Sequence, residues 1–309
     1  MKPFKSYQHI PGTKMTVRDK AEVGSKFWNK GKWDNFVDPL LPEDCTDMTF
    51  IDMGCNAGLF LKLAQEKGFD KVIGVDSDKE AIERGIEWRD KIGYKYDLQR
   101  RKMERSIDKL PVADYTVFAN AHYYFDIDDW LDYVDRLMSK TRYCIIVTDE
   151  SRRNLLHKTS ASVSGVKDYF QSWKYEKEIT TSFKEDPRPR ELCGLLFKSP
   201  LIQRVQIDSL DNGNHQQDGF YRQIDEGVKW SRTDYYRRMK SYRLKEHNWN
   251  RERLDSFMKK KASLYSSIKK VGLMKPITVN SQNRIVDGNH RCAMFKHFGH
   301  KSILTRRVL

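Results

Sequence analysis

The sequence lacks closely spaced cysteines. Its five, Cys45, Cys55, Cys144, Cys193 and Cys292, are odd in number and far apart, with no C-x-x-C pair. Neither a disulfide framework nor a cysteine zinc site is indicated, and no metal site is expected. The pattern fits a reducing compartment. Long apolar runs are also missing. No stretch approaches the roughly 20 apolar residues needed to span a bilayer. The opening "MKPFKSYQHIPG" has no apolar core of the signal-peptide kind. The expectation is a soluble, cytoplasmic protein with no membrane partner. There is no internal repeat. The length of 309 residues is comfortable for two domains. Nothing in the sequence sets an oligomeric state.

Charge is unevenly spread. Residues 1–207 hold 35 basic and 33 acidic residues, net +2, whereas residues 208–309 hold 22 and 10, net +12. A neutral part joined to a basic part suggests that the second meets a polyanion or phosphate, and a solvated basic surface is the plain alternative. The division predicted is 1–207, a linker at 208–226 in the turn-rich "DSLDNGNHQQDGF", and a basic domain at 227–309.

In the first part, apolar strand-like runs alternate with amphipathic helical ones. A helical lead-in "SKFWNKGKWDNFVDPLLPED" carries Phe27, Trp28, Trp33, Phe36 and Leu40. Then come strand "MTFIDMG", helix "GLFLKLAQEKG", strand "KVIGVDSD", helix "KEAIERGIEWRDKIG" and strand "YKYDLQR". Strand "YTVFANAHYYF", helix "IDDWLDYVDRLMSK" and the buried strand "TRYCIIVTDE" follow. This rhythm argues for an α/β fold with a mostly parallel sheet covered on both faces. "DYFQSWKYEKEITTSF" and "RELCGLLFK" predict a terminal antiparallel pair. The basic part predicts helices, then strands "PITVN" and "RIVDG", helix "HRCAMFKHFG" and strand "KSILTRRV": a small α+β domain.

The chemistry concentrates at residues 50–60, "FIDMGCNAGLF". Gly54 and Gly58 stand where strand gives way to helix, and a side chain there is expected to keep a ligand off the backbone. A dinucleotide turn would read G-x-G-x-x-G, so that pyrophosphate meets the helix N-terminus. Here Asp52 occupies the turn, and a carboxylate repels pyrophosphate but suits a cation. The second strand ends in Asp76, 24 residues beyond Asp52, where an acid can accept both hydroxyls of a ribose. A ligand with a ribose and an amino group but no phosphate fits both acids, and S-adenosylmethionine is such a ligand.

On these residues the chain resembles the class I S-adenosylmethionine-dependent methyltransferases, whose first motif is D/E-x-G-x-G-x-G and whose second strand ends in an acid. Asp52, Gly54, Gly58 and Asp76 match. Asn56 replaces the middle glycine, a change that left-handed backbone tolerates. The resemblance covers roughly residues 20–205 and implies a Rossmann-like fold, S-adenosylmethionine as cofactor, and acceptor-facing residues in "ANAHYYFD". Asn120 is expected beside the cofactor. His122, a general-base candidate, and Tyr123 are expected to face the acceptor, although packing explains both equally well. The D/N-P-P-Y/F of base-amino methyltransferases and the proline-cysteine pair of cytosine-C5 enzymes are absent, which counts against both chemistries. The lead-in is faintly similar to that of the carboxymethyl-transferring enzymes of tRNA wobble uridine, over a stretch too short to assign a substrate.

The tail "GLMKPITVN…RIVDGNHRCAMFKHFGH" resembles the ParB/sulfiredoxin-type nucleotide-binding domain over roughly residues 225–309. Gly272, Leu273, Pro276 and Ile277 match its first strand. Gly288, Asn289, His290 and Arg291 match its G-x-x-R turn at a helix N-terminus, and Asp287 directly before them is grouped with the nucleotide-binding residues. The resemblance implies a nucleotide, ATP or CTP, held by that turn. Asn289 stands where sulfiredoxins carry their cysteine, so their repair chemistry is excluded. "DGNHR" is closer to the D-G-H-H-R of ParB-like free-serine kinases. Between Trp230 and Arg251, Tyr235, Tyr236, Tyr242 and Trp249 interleave with Arg232, Arg237, Arg238 and Arg243, a mixture that suits single-stranded nucleic acid. The leading expectation is a methyltransferase whose acceptor is a nucleic acid or nucleotide-like molecule. The alternatives are a nucleic-acid-binding or nucleotide-switched protein with a vestigial first domain, and a small-molecule methyltransferase with an accessory kinase.

Overall fold

A computed structural model describes residues 5–6, 16–17, 30–149, 159–160, 162–182, 191–210, 217–247 and 249–308. The chain forms two compact units, Met1–Ile202 and Gln203–Leu309. Phe27 and Trp28 of the lead-in lie outside the described residues; residues 5–6 and 16–17 form a short parallel bridge. Among the described residues, no helix is long and apolar enough to cross a membrane.

The first unit is a seven-stranded sheet. Strands β1 (Thr49–Met53), β2 (Lys71–Asp76), β3 (Asp97–Arg100), β4 (Ala113–Ala119) and β5 (Thr141–Asp149) pair in parallel. Strands β6 (Lys174–Ser182) and β7 (Glu191–Lys198) follow, and β7 runs antiparallel to both β5 and β6. The spatial order is β3-β2-β1-β4-β5-β7-β6. The strand order reverses between β1 and β4, and the carboxyl ends of such a switch point open a crevice.

Alternation along the strands builds two cores. Phe50, Val72, Val117, Ile145 and Val147 point to one face, where Trp33 and Phe36 of the lead-in meet α1 (Leu59–Glu66) and α2 (Lys79–Ile92). Ile51, Met53, Ile73, Val75, Cys144 and Ile146 point to the other, under α3 (Ile127–Met138) and α4 (Val163–Tyr169). Local chemistry sets the helix ends. Asp78 caps α2 by accepting from Glu80 N (2.9 Å) and Ala81 N (3.1 Å), and Gly93 ends it in left-handed backbone.

Two boundaries differ from the sequence expectation. Strand β4 stops at Ala119, because Asn120 turns left-handed (φ 57°) and His122–Tyr124 form a 3-10 turn. The segment before β6 opens as helix α4, capped by Ser162 accepting from Gly165 N at 3.1 Å, so the strand begins only at Lys174.

The second unit holds a four-stranded sheet, in the order β8 (Ile202–Gln206), β11 (Ser302–Arg307), β9 (Ile277–Val279), β10 (Ile285–Asp287). Its helices are α5 (Asp218–Asp225), α6 (Asp234–Glu246), α7 (Arg251–Val271) and α8 (Asn289–His297). Helix α5 lies in the stretch expected to be a linker, and its Phe220 and Tyr221 are fully buried. Asn250 breaks the basic stretch into α6 and α7 by capping α7 through Arg253 N (2.8 Å).

Two helical glycines, one in each unit, give a test. A Cβ at Gly85 of α2 would sit 2.7 Å from the Ala57 carbonyl oxygen, a backbone atom. A Cβ at Gly219 of α5 would meet nothing within 4 Å. Gly→Ala in a helix ordinarily stabilises by about 0.5–1 kcal/mol. Gly219→Ala is expected to raise the melting temperature, whereas Gly85→Ala is expected to lower it, with a loss of about 1–3 kcal/mol.

Candidate active site

The turn after β1 is fixed almost entirely by backbone. Gly54 and Cys55 donate to Val75 O (2.8 and 3.1 Å), which ties the turn to β2. Gly54, Asn56 and Gly58 all have positive φ (80°, 50° and 89°). Asn56 holds its left-handed position with its side chain accepting from Ala57 N at 2.9 Å. Gly58 caps α1. A Cβ on Gly54 would lie 2.8 Å from Ala121 Cβ, and one on Gly58 3.3 Å from Tyr96 and Leu61. Backbone conformation and internal packing thus both require glycine at 54 and 58.

Two carboxyl groups meet at this turn. Asp76 Oδ2 accepts from Asn56 N (2.8 Å) and Oδ1 from Asp78 N (2.9 Å), so one side chain bridges the turn and the start of α2. Asp52 is buried at the end of β1. Burial first, and the neighbouring Asp76 charge second, push its carboxyl up to about 8. Burial thus favours the neutral form of the Asp52 carboxyl.

Across the switch point, Asn120 N donates to Val147 O at 2.9 Å. With its amide oriented to satisfy both ends, Asn120 also donates to Val147 O (3.1 Å) and accepts from Lys32 Nζ (2.9 Å). Lys32 is only 7% exposed. No local pattern marks this lysine, which a segment some ninety residues earlier brings to the end of β4. His122 is fully buried, its ring 5.4 Å from Tyr123 and 5.9 Å from Trp130. Tyr123 is buried as well, and Tyr124 is exposed. The structure thus brings Asp52, Gly54, Asn56, Gly58 and Asp76 together, and buries His122 and Tyr123 in the 3-10 turn after β4. Among the described residues, no group of three His, Cys, Asp or Glu side chains is arranged to hold a metal ion.

The profile of a family described as a methyltransferase domain matches residues 27–196, more than half of the chain. The chain belongs to that methyltransferase family. The methyltransferase unit has a Rossmann-like α/β fold with a mostly parallel sheet. Similar solved structures include the PH0226 protein of Pyrococcus horikoshii OT3, 13% identical over 55% of this chain and 91% of that one, with a TM-score of 0.47. Magnesium protoporphyrin IX methyltransferase of Synechocystis PCC 6803, solved with bound SAM, is 13% identical over 59% and 86%, with a TM-score of 0.45. N-methyltransferase NodS of Bradyrhizobium japonicum WM9 is 14% identical over 56% and 97%, also at 0.45. No curated protein matches the sequence.

In the second unit, the arginine of the turn expected to grip phosphate bonds to its own chain. Arg291 Nη1 donates to the Lys275 and Pro276 carbonyls, both at 2.8 Å, and Nη2 to Asp287 Oδ2 at 2.5 Å. Gly288 is left-handed (φ 104°) and closes on that guanidinium. His290 Nδ1 lies 2.5 Å from Gln217 Oε1. The same oxygen accepts from Lys261 Nζ and Tyr221 Oη, both at 3.3 Å. Burial draws Lys261 down to about 7; burial and then the Lys261 charge draw His290 down to about 4. Helical spacing could have found Lys261: with Leu254, Met258, Tyr265 and Ile268 it shares the buried stripe of α7.

Because the folded pKa of Asp52 lies above its ordinary value, stability falls as pH rises between about 4 and about 8. Asp52→Asn is expected to flatten that fall, so its melting temperature gains on the wild type from pH 5 to pH 8, by several degrees. Arg291→Lys is expected to lose about 1–3 kcal/mol in denaturant titration, since an ammonium cannot span two carbonyls and a carboxylate.

Proposed function

We propose that the first unit transfers a methyl group from S-adenosylmethionine to a nucleic acid or nucleotide-like acceptor. The observation that carries this reading is the pair of carboxyl groups at the backbone-built turn, with Asp52 shut away from water beside Asp76. A phosphate-bearing cofactor would meet repulsion there. A cationic adenosine meets two acids, one of which regains its charge as the cation arrives. Asp76 keeps lone pairs beyond the two N–H groups it accepts, which leaves it able to take ribose hydroxyls. Gly54, Asn56 and Gly58 shape the turn, and Asn120 closes the side at β4.

When bound, the cofactor supplies an electrophilic methyl on a sulfonium. The protein's part is to hold the acceptor in line with it, and positioning supplies much of the rate. His122, packed between Tyr123 and Trp130, and Tyr123 beside it are assigned to stiffening the turn after β4 rather than to proton removal. The second unit adds a cationic surface on the same chain, which raises the local concentration of an anionic acceptor. The turn at Asp287–Arg291 is read as structural. A nucleotide there would have to draw Arg291 away from the Lys275 and Pro276 carbonyls.

Calorimetry tests the cofactor. S-adenosylmethionine is expected to bind the wild type, and Asp76→Ala to weaken binding roughly tenfold or more. Below pH 8 the heat is expected to vary with buffer ionisation enthalpy, because Asp52 releases a proton on binding. No heat with the wild type would overturn the reading. Tritium transfer from labelled cofactor into RNA, DNA and metabolite pools then identifies the acceptor.

A further inference from the structure

The second unit carries cations that its own carboxylates do not neutralise. Arg238, Lys240 and Lys245 on α6, and Arg253, Lys259 and Lys260 on α7, are exposed. The ion pairs formed within the unit among the described residues, such as Arg237–Asp234 and Lys269–Asp225, leave all six out. Like charges crowded on two packed helices repel one another, and a polyanion relieves that repulsion.

Planar groups gather where the two helices join. The Arg243 and Arg253 guanidinium groups lie over the Trp249 ring at 4.9 and 4.6 Å. Arg243 also lies 5.4 Å from the Tyr242 ring, and Tyr242 meets His247 edge-on at 4.6 Å. Tyr242 is 43% exposed. Tyr235 and Tyr236, grouped with it by sequence, are buried in the core, and Trp249 is partly buried against the same core, which leaves Tyr242 as the exposed ring.

We propose that the α6–α7 elbow is a contact surface for single-stranded nucleic acid. Exposed cations meet phosphates, and the Tyr242 ring beside stacked guanidinium groups offers a face to an unpaired base. A duplex hides its base faces and could use only the charges. A membrane would need an apolar face, and the only large hydrophobic side chains exposed on these two helices are Tyr242 and Leu264. The inference rests on the reading of a nucleic-acid acceptor and gives it a location and a strandedness.

Fluorescence anisotropy on the full chain tests it, with labelled DNA and RNA strands of about 12 nucleotides and duplexes of the same length. Single strands are expected to bind more tightly than duplexes, and to weaken as salt rises from about 50 to 200 mM. Arg238→Ala and Lys259→Ala are each expected to reduce the slope of log affinity against log salt by about 0.7. Tyr242→Ala is expected to weaken single-strand binding about tenfold while Tyr242→Phe retains it. The proposal is overturned if duplexes bind as tightly, if salt has no effect, if Tyr242→Ala binds like the wild type, or if polyglutamate or anionic phospholipid vesicles compete as well as the single strand. Cofactor calorimetry on the same preparation separates the two readings. Strand binding without cofactor heat removes the transferase and leaves this surface, and cofactor heat without strand binding does the reverse.

Discussion

A carboxyl group closed off from water beside a second carboxylate is the constraint around which the first unit is arranged. Asp52 reaches that position because the two-residue alternation of β1 turns it inward at the strand's end. Asp76 reaches it because β2 pairs with β1 in parallel register, with Met53 opposite Val75. The turn between them is then pinned from three sides: by the Val75 carbonyl, by the Asp76 carboxylate, and by Gly85 of α2 lying against the Ala57 carbonyl. Little of this geometry depends on flexible side chains. A pocket held by backbone keeps its shape when empty, and that is what an in-line transfer asks of its binding site.

The second unit applies the same physics with the opposite sign. Lys261 is drawn into a ring of Phe220, Tyr221 and Tyr235, with its ammonium 3.8 Å from the Tyr235 centroid. Gln217, just before α5, receives Lys261 from α7, Tyr221 from α5 and His290 from α8. One amide oxygen thus joins three helices. The motif at Asp287–Arg291 is absorbed in the same way, as a stitch between the start of β9 and the start of α8.

Much of the first unit was legible because its signals are local. Apolar runs of strand length, an Asp at the head of α2 and a glycine at its foot mark elements within a few residues. The turn at Asp52–Gly58 was legible for the same reason. What escaped depends on distant partners or on side-chain direction. Lys32 meets Asn120 only in three dimensions. Periodicity did not separate the buried Tyr235 and Tyr236 from the exposed Tyr242, since the aromatic run continues past the point where the helix face turns outward. Arg291 reads as a phosphate ligand by motif, and only the course of β9 shows that two carbonyls occupy it first. Helices α4 and α5 were hidden by polar, turn-like composition, and a serine cap and two buried aromatic rings decide them.

The sheet of the second unit has its own consequence for synthesis. Strand β8 adjoins β11, so residues 202–206 wait for residues 302–307 before they find a partner. Closing a loop of that length is slow relative to helix formation. The basic helices between them can wind as they leave the ribosome, yet their sheet stays open until the last strand emerges. During that interval β8 is an unpaired edge, open to non-native pairing.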